Sequence, residues 1–271
     1  MLRTDIDQVR NLALKDPISN CFLISRLNDL INNSWSFQNE ISVFENKNRI
    51  ESVIYNGANI IPLETNNESS VAFAQYLLDS PRRASSIVGD KDQVLELWNL
   101  LKPFWNKPRE IRDNQPVMVI KDAPLLSPDP LVKPVVARDL EVVLPACVSM
   151  FTEEVGISPV VGSSEQIYRA RISDLIQQRK IFARIDKSQV TFKAEIGVAT
   201  EQVCQIQGVW VPPHLRGRNY GKAGMAAVVD LTRKYFAPMV SLYVNDYNER
   251  ARAVYKSVGF QEHSTFATVL F

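Results

Sequence analysis

The sequence predicts an α/β protein in which strands and helices alternate in layers. Three observations carry that expectation. Short β-branched runs of strand length recur, among them EISVFE, ASSIVG, VCQIQGVWV and MVSLYVND, and such residues suit a pleated, half-buried surface. Between them lie longer stretches whose apolar residues return every three or four positions, as one face of a helix requires. The same alternation occurs on both sides of a proline cluster, KDAPLLSPDPLVKP, which divides the 271 residues into two parts of ordinary domain size.

Before the cluster, DIDQVRNLALKDPISNCFLISRLNDLI reads as helical with a break at Pro17, since proline removes an N–H and restricts the residue ahead of it. EISVFE and IESVIYNGANIIPL read as strands punctuated by Gly57. SVAFAQYLLDSP then reads as a helix, ASSIVG as a strand, and KDQVLELWNLLKPFW as a helix with Val94, Leu95, Trp98 and Leu101 on its apolar face. Prolines 124, 128, 130 and 134 make 123–134 an extended linker outside any central sheet. Residues 1–122 are thus expected to form one α/β domain and 135–271 another.

In the second part, LEVVLPACVSMFTEEVG reads as a helix interrupted early by Pro145, and SSEQIYRARISDLIQQRK as a helix opened by a Ser163-x-x-Gln166 capping box. KIFARID and QVTFKAEIGVAT form a hairpin through Lys187 and Ser188, followed by the strand VCQIQGVWV. A helix through Phe236, the strand MVSLYVND, the helix NERARAVYKSVG and two last strands, FQEH and TFATVLF, complete the chain. No convincing sequence repeat links the halves, although their element orders are similar.

Composition narrows the function classes. Apolar residues at 45% supply cores, and a net charge of +1 argues against a nucleic-acid partner. Cys21, Cys147 and Cys204 are isolated and there are only two histidines, so neither a disulfide scaffold nor a metal site is expected. The N-terminal stretch is charged throughout and no apolar run has spanning length, so a cytoplasmic protein with no membrane partner is expected.

The segment HLRGRNYGKAG carries the chemistry. A strand ending at GVWVPP enters it and a helix leaves it near Gly221. A glycine-rich turn at a helix N-terminus presents unpaired N–H groups and the positive end of the helix dipole to an anion. Gly217, Asn219, Tyr220, Gly221 and Ala223 would offer main chain, while Arg216, Arg218 and Lys222 add charge. The spacing, Arg218-x-x-Gly221-x-Ala223, is neither a Walker A loop nor a Rossmann fingerprint. Behind it, Gly224, Val228, Leu231 and Tyr235 would form one packing stripe, with Gly224 permitting close helix–strand contact.

This turn resembles the acyl-CoA signature of the GNAT N-acetyltransferases, R/Q-x-x-G-x-G/A between a strand and a long helix. VSLYVNDYNERARAVYKSVGF resembles the family's second block through Asn248, Ala251, Tyr255, Gly259 and Phe260. The likeness covers roughly 131–271. It implies a mixed, largely antiparallel central sheet flanked by helices, binding acetyl-CoA or another short acyl-CoA. DPISNCFLISRL, YNGANIIPL, PREIRDNQP and STFATVLF also resemble actinobacterial two-part GNAT proteins, which implies a degenerate GNAT-like first half. Residues 1–122 contain no such turn, so cofactor binding there is not supported.

The resemblance further implies that the strand before the turn splays from its neighbour and pairs with the pantetheine arm through the backbone of Val209 and Val211. Tyr255 matches the family's general-acid tyrosine; its apolar helix face equally suits a core residue with a satisfied hydroxyl. Asn248 could cap the helix, touch the pantetheine, or do both. The strand positions where some GNATs carry a glutamate base hold Gln205 and Gln207. Glu195, Glu153, Glu154 or a water chain are the alternatives for the base. Cys204, within a strand and without a basic neighbour, is not the nucleophile. The expected reaction is direct acetyl transfer to a primary amine on a small molecule or a protein. A non-catalytic acyl-CoA sensor and a pseudoenzyme without CoA remain open, as does a homodimer.

Overall fold

The computed structural model describes residues 3–32, 40–162 and 164–271. Ser163, of the expected capping box, lies outside the described residues. The first half of the chain runs α1 (Arg3–Ala13), α2 (Cys21–Asn32), β1 (Ile41–Asn46), β2 (Arg49–Asn56), β3 (Ile60–Leu63), α3 (Asn67–Leu78), β4 (Ser86–Asp90), α4 (Lys91–Leu101) and β5 (Glu110–Ile120). A short β6 (Lys133–Pro134) precedes α5 (Leu140–Val155), α6 (Ser164–Gln177), β7 (Ile181–Asp186), β8 (Gln189–Ala199) and β9 (Val203–Trp210). The chain ends with α7 (Tyr220–Tyr235), β10 (Met239–Tyr243), α8 (Glu249–Val258) and β11 (Gln261–Leu270). The series from α1 to β5 and from α5 to β11 follow the same order: two helices, three strands, then helix, strand, helix, strand.

The chain forms two compact units: Met1–Met118 with Tyr243–Asn248 and Glu262–Phe271, and Val119–Leu242 with Glu249–Gln261. In the first, the strand order is β1-β2-β3-β4-β11-β5. All strand pairs with a defined register there are antiparallel except β3 with β4, which is parallel. Alternation along β2 sends Val53 and Tyr55 to a core with Val9, Leu23 and Leu27 of α1 and α2. It sends Ile54 to a second core with Phe73, Leu97 and Trp98 of α3 and α4.

The last strand departs from the expected boundary of 135–271. Phe266–Leu270 pair antiparallel with Ser86–Asp90 of β4, and Ala267 and Val269 join the α3/α4 core. Thr268 Oγ1 donates to Gln115 Oε1 at 2.6 Å, and Arg109 N–H to the Leu270 carbonyl at 2.7 Å. The expected FQEH and TFATVLF strands are one, and β5, whose Pro116 obscures its pattern, is an added element.

The second unit has the order β10-β9-β8-β7-β6. The β7–β8 hairpin turns at Lys187 and Ser188, both at positive φ (47° and 62°), the mirror-image turn that matches strand twist. Tyr168, Ile172 and Cys147 of α5 and α6 pack on the face of β7 that carries Ile181 and Ala183. The opposite face of β8 receives α7. An added Cβ at Gly224 would stand 2.6 Å from the fully buried Phe192 ring, so this glycine sets the helix–sheet distance.

Three further expectations are corrected. Residues 123–134 belong to this unit: Leu125 N–H donates to Val258 O, Asp129 N–H to Ala223 O, Val132 is buried, and β6 pairs with β7. Pro134 is tolerated there because β6 lies at the sheet edge. Helix α5 runs unbroken through Pro145; burial of Val143, Ala146, Cys147 and Met150 offsets the hydrogen bond that proline forfeits. The α7 stripe excludes Tyr235, which is 62% exposed, and instead buries Met225 to Val229 and Thr232.

Gly224→Ala is expected to lower unfolding free energy by about 1–3 kcal/mol through overpacking on Phe192. Urea denaturation of Gly224→Ala, Phe192→Leu and the double variant checks it. The double should lose less than the sum of the singles, because both changes act on one contact.

Candidate functional site

Strand β9 begins in regular pairing and then leaves it. Its parallel register with β10 consists of Val203↔Met239, Cys204↔Val240 and Gln205↔Ser241; beyond Gln205 it runs to Trp210 without a β10 partner among the described residues. The cause is local. Gly208 sits in the left-handed region (φ 59°), and the β8 register jumps from Glu195↔Gln207 to Lys193↔Trp210, leaving one extra residue in β9. Such a bulge bends its strand. A compensating irregularity lies at Gly197, between Ile196↔Ile206 and Val198↔Gln205.

Beneath the bulge is a buried ion pair that sequence reasoning missed. Lys193 and Glu195 are 0% and 1% exposed, with Nζ 2.5 Å from Oε1. Lys193 Nζ also donates to the Gly208 carbonyl at 3.2 Å. The available signal was a lysine and a glutamate two apart in VTFKAEIGVA, hence on one face of an otherwise apolar strand. That face is the one toward α5, whose Cys147 thiol lies beside both charges; burial foremost pushes it up to about 11. Cys204 is pushed up to about 12, again by burial, so neither thiol is a ready nucleophile.

Past β9, the short 3-10 turn Pro213–Leu215 leads into the glycine segment. Arg216 is committed inward: its Nε donates to Val211 O at 3.0 Å and its Nη2 to Glu153 Oε2 at 2.6 Å. Trp210 Nε1 donates to the same carboxylate oxygen at 3.1 Å. Gly217 and Asn219 adopt positive φ (80° and 64°), reversing the chain into α7. Asn219 occupies the N-cap position but makes no side-chain capping bond among the described residues. The N–H groups of Tyr220, Gly221 and Lys222 lie in the turn that helix geometry leaves without intrahelical acceptors, and Ala223 N–H returns to Asn219 O. Gly217, Arg218 and Asn219 are exposed; Tyr220 turns aside under the Arg184 guanidinium, 5.0 Å from its ring centroid. An added Cβ at Gly221 would meet only Val211 and Val254 at ordinary contact distance, 3.9 Å.

Tyr255 is buried with its ring 5.9 Å from Phe260. Burial, and then the nearby Glu154 carboxylate, push its hydroxyl well above the usual phenol range, so it keeps its proton at neutral pH. Glu154 is exposed at the end of α5. The second unit thus brings together the turn, Val211 and Val254 of α8, and separately sets the Glu154 carboxylate within electrostatic reach of Tyr255. Asn248 immediately precedes α8 but groups with the first unit, its N–H on Asn245 O. Val209 lies on the part of β9 beyond the β10 register, and the Val211 carbonyl is already engaged by Arg216.

The corresponding turn of the first half is closed. Asn66 and Ser69 form a reciprocal capping box on α3: Asn66 Oδ1 accepts from Ser69 N–H and Ser69 Oγ from Asn66 N–H, so the third helical N–H, open in α7, is taken here. Glu64 places a carboxylate there, paired with Lys15 at 2.6 Å, and Thr65 N–H donates to Gln93 Oε1. An anion would meet a capped helix start and a carboxylate.

Residues 182–260 match the acetyltransferase (GNAT) family model, the range that contains the diverging strand and the open turn. By that match, residues 182–260 are a GNAT-like segment. Residues 39–143 match a domain of unknown function (DUF4081). Among solved structures, the chain is similar to a GCN5-related N-acetyltransferase from Sphaerobacter thermophilus (12% identity, 100% of this chain, 94% of that one, TM-score 0.61). It is also similar to an acetyltransferase of the GNAT family from Colwellia psychrerythraea (12%, 90% and 97%, TM-score 0.55). A tandem GNAT protein from the clavulanic acid biosynthesis pathway aligns as well (9%, 98% and 94%, TM-score 0.53). At these identities the likeness is one of fold. No curated protein matches the chain. No described helix is long and apolar enough to cross a membrane.

The Glu153–Arg216–Trp210 contact is expected to be pH-dependent. The Arg216 hydrogen bond foremost holds the Glu153 carboxyl below its ordinary value of 4.5, against burial and with help from Trp210. A depressed carboxylate contributes stability above its unfolded-state value and loses it as pH falls through the folded one. Trp210 fluorescence, isolated by subtracting a Trp210→Phe variant, should therefore stay constant from neutral pH down through 4.5 and change only below it. In Glu153→Gln that transition should vanish.

Proposed function

We propose that this protein is an acyl-CoA-dependent N-acyltransferase, with acetyl-CoA or another short acyl-CoA as donor and a primary amine on a small molecule or protein as acceptor. The observation that carries the reading is an uncapped helix N-terminus on a glycine turn, directly after a strand that has left its parallel neighbour. The open N–H groups of Tyr220 to Lys222 suit a pyrophosphate, with Arg218 and Lys222 adding charge. The free edge of β9 around Val209, and the N–H side of Val211, suit the amide-bearing pantetheine arm.

The acyl thioester would supply an activated carbonyl carbon and a thiolate leaving group. Transfer by direct attack forms one C–N bond and breaks one C–S bond, so a proton must leave the amine and one must reach sulfur. Tyr255, held protonated by its burial, is the proposed donor to sulfur. Glu154, exposed and close enough to raise the Tyr255 value, is the proposed acceptor of the amine proton or a contact to the acceptor. Glu195 and Glu153 are poorer candidates, because Lys193 and Arg216 hold them. Asn248 remains a proposed cofactor contact through the family motif.

One observation favours a second reading, a non-catalytic acyl-CoA-binding module: Gln205 and Gln207 stand on the central strand where a base would be useful. Calorimetric titration with acetyl-CoA, beside turnover assays over a panel of amines, separates the two. Binding without transfer to any amine selects the module.

Titration is expected to give one acetyl-CoA per chain, since among the described residues the turn before α7 is uncapped whereas that before α3 carries a capping box; two equivalents would overturn the site assignment. Gly221→Val should keep the wild-type unfolding midpoint while weakening acetyl-CoA at least tenfold, about 1.4 kcal/mol or more. Tyr255→Phe should lower kcat roughly 10²-fold with little change in CoA affinity. An unchanged kcat would remove Tyr255 from the reaction.

A further inference from the structure

A β-bulge leaves its extra residue outside the ladder, and a backbone group removed from the ladder and buried needs another partner. At Gly208 that partner is an ammonium: Lys193 Nζ donates to the Gly208 carbonyl at 3.2 Å. The charge is balanced by Glu195, 2.5 Å away, and both side chains are excluded from water. Space is equally constrained. A Cβ at residue 208 would lie 3.2 Å from Glu195 Cδ and 3.0 Å from Met150 Cε, so the pair and the bulge are packed as one piece. A buried ion pair is commonly no more stabilising than apolar side chains of similar volume. An apolar pair, however, cannot hydrogen-bond the bulge carbonyl.

We infer that Lys193 and Glu195 are positioning residues: together they clamp the β9 bulge and so fix the direction in which the main chain of residues 209–211 meets the pantetheine arm. The inference rests on the acyl-CoA reading for the identity of the arm, and on the geometry alone for the clamp. Glu195 then serves by holding Lys193, rather than as the base.

The clamp separates the two halves of the cofactor. The turn at 217–223 would recognise the nucleotide, whereas the bulge sets only the pantetheine edge. The test uses the full chain, with Lys193→Met and the double variant Lys193→Met/Glu195→Leu. The double removes both charges, so it stays folded even where the single, which strands a buried carboxylate, does not. Hydrogen exchange of the 208–211 amides is measured without ligand. Affinities for acetyl-CoA and for adenosine 3′-phosphate 5′-diphosphate, the nucleotide half of CoA, are measured by calorimetry. The expected result for the double variant is at least tenfold faster exchange at these amides, at least tenfold weaker acetyl-CoA, and nucleotide affinity unchanged within twofold. Unchanged exchange overturns the clamp, whatever binds. Parallel loss of both affinities also overturns it, since that is the mark of a general structural role. A wild-type protein that binds neither ligand overturns the acyl-CoA reading and the pantetheine role with it, a result the exchange measurement keeps distinct from failure of the clamp.

Discussion

Gly208 adopts a backbone conformation that any residue with a Cβ would resist, and the shape of the second unit follows from it. One extra residue in β9 shifts its register against β8, on the part of the strand that follows its three parallel pairs with β10. Divergence of two parallel strands exposes main-chain groups that a regular sheet would consume. It also delivers the chain, at Pro212 and Pro213, to the turn that opens α7.

Electrostatics at the turn divides its cations into two groups. Arg216 faces inward and ties Val211 and Glu153 together, so its charge is largely spent on holding the turn's shape. Arg218 lies exposed, and the helix itself contributes open N–H groups because Asn219 does not cap them. The equivalent helix of the first half shows the other outcome of the same topology: Asn66 and Ser69 cap it, and Glu64 adds negative charge. One architecture thus appears twice in the chain, open to an anion in one copy and self-satisfied in the other. The difference lies in the capping groups at the helix start, and not in the order of elements.

The layered α/β class and most elements were legible from the sequence, since hydrophobic period and β-branched runs are local signals. The Lys187–Ser188 turn, the strand before Gly217 and the role of Gly224 as a close-contact position followed from residue chemistry alone. Less legible were features that depend on partners distant in sequence. Pro145 looked like a helix break, yet packing of Val143, Ala146, Cys147 and Met150 carries α5 through it. The proline cluster looked like a free linker, yet Leu125 and Asp129 each donate to backbone carbonyls more than ninety residues away in the chain. Among the candidate bases, Glu195 and Glu153 could not be told from free acids until Lys193 and Arg216 stood beside them.

By itself, then, the sequence determined the alternation of elements, the glycine turn before a long helix and the Asn248–Phe260 block, all of them set by interactions spanning a few residues. Tertiary structure alone decided where β11 pairs, which carboxylates are engaged and how β9 leaves β10. The physical reason is the same in each case. A strand's hydrogen-bonding edge and a carboxylate's charge are indifferent to sequence distance, so their partners are chosen by packing: β11 meets β4 because Ala267 and Val269 complete an apolar core there, and Lys193 meets Gly208 because a bulged carbonyl had lost its place in the ladder.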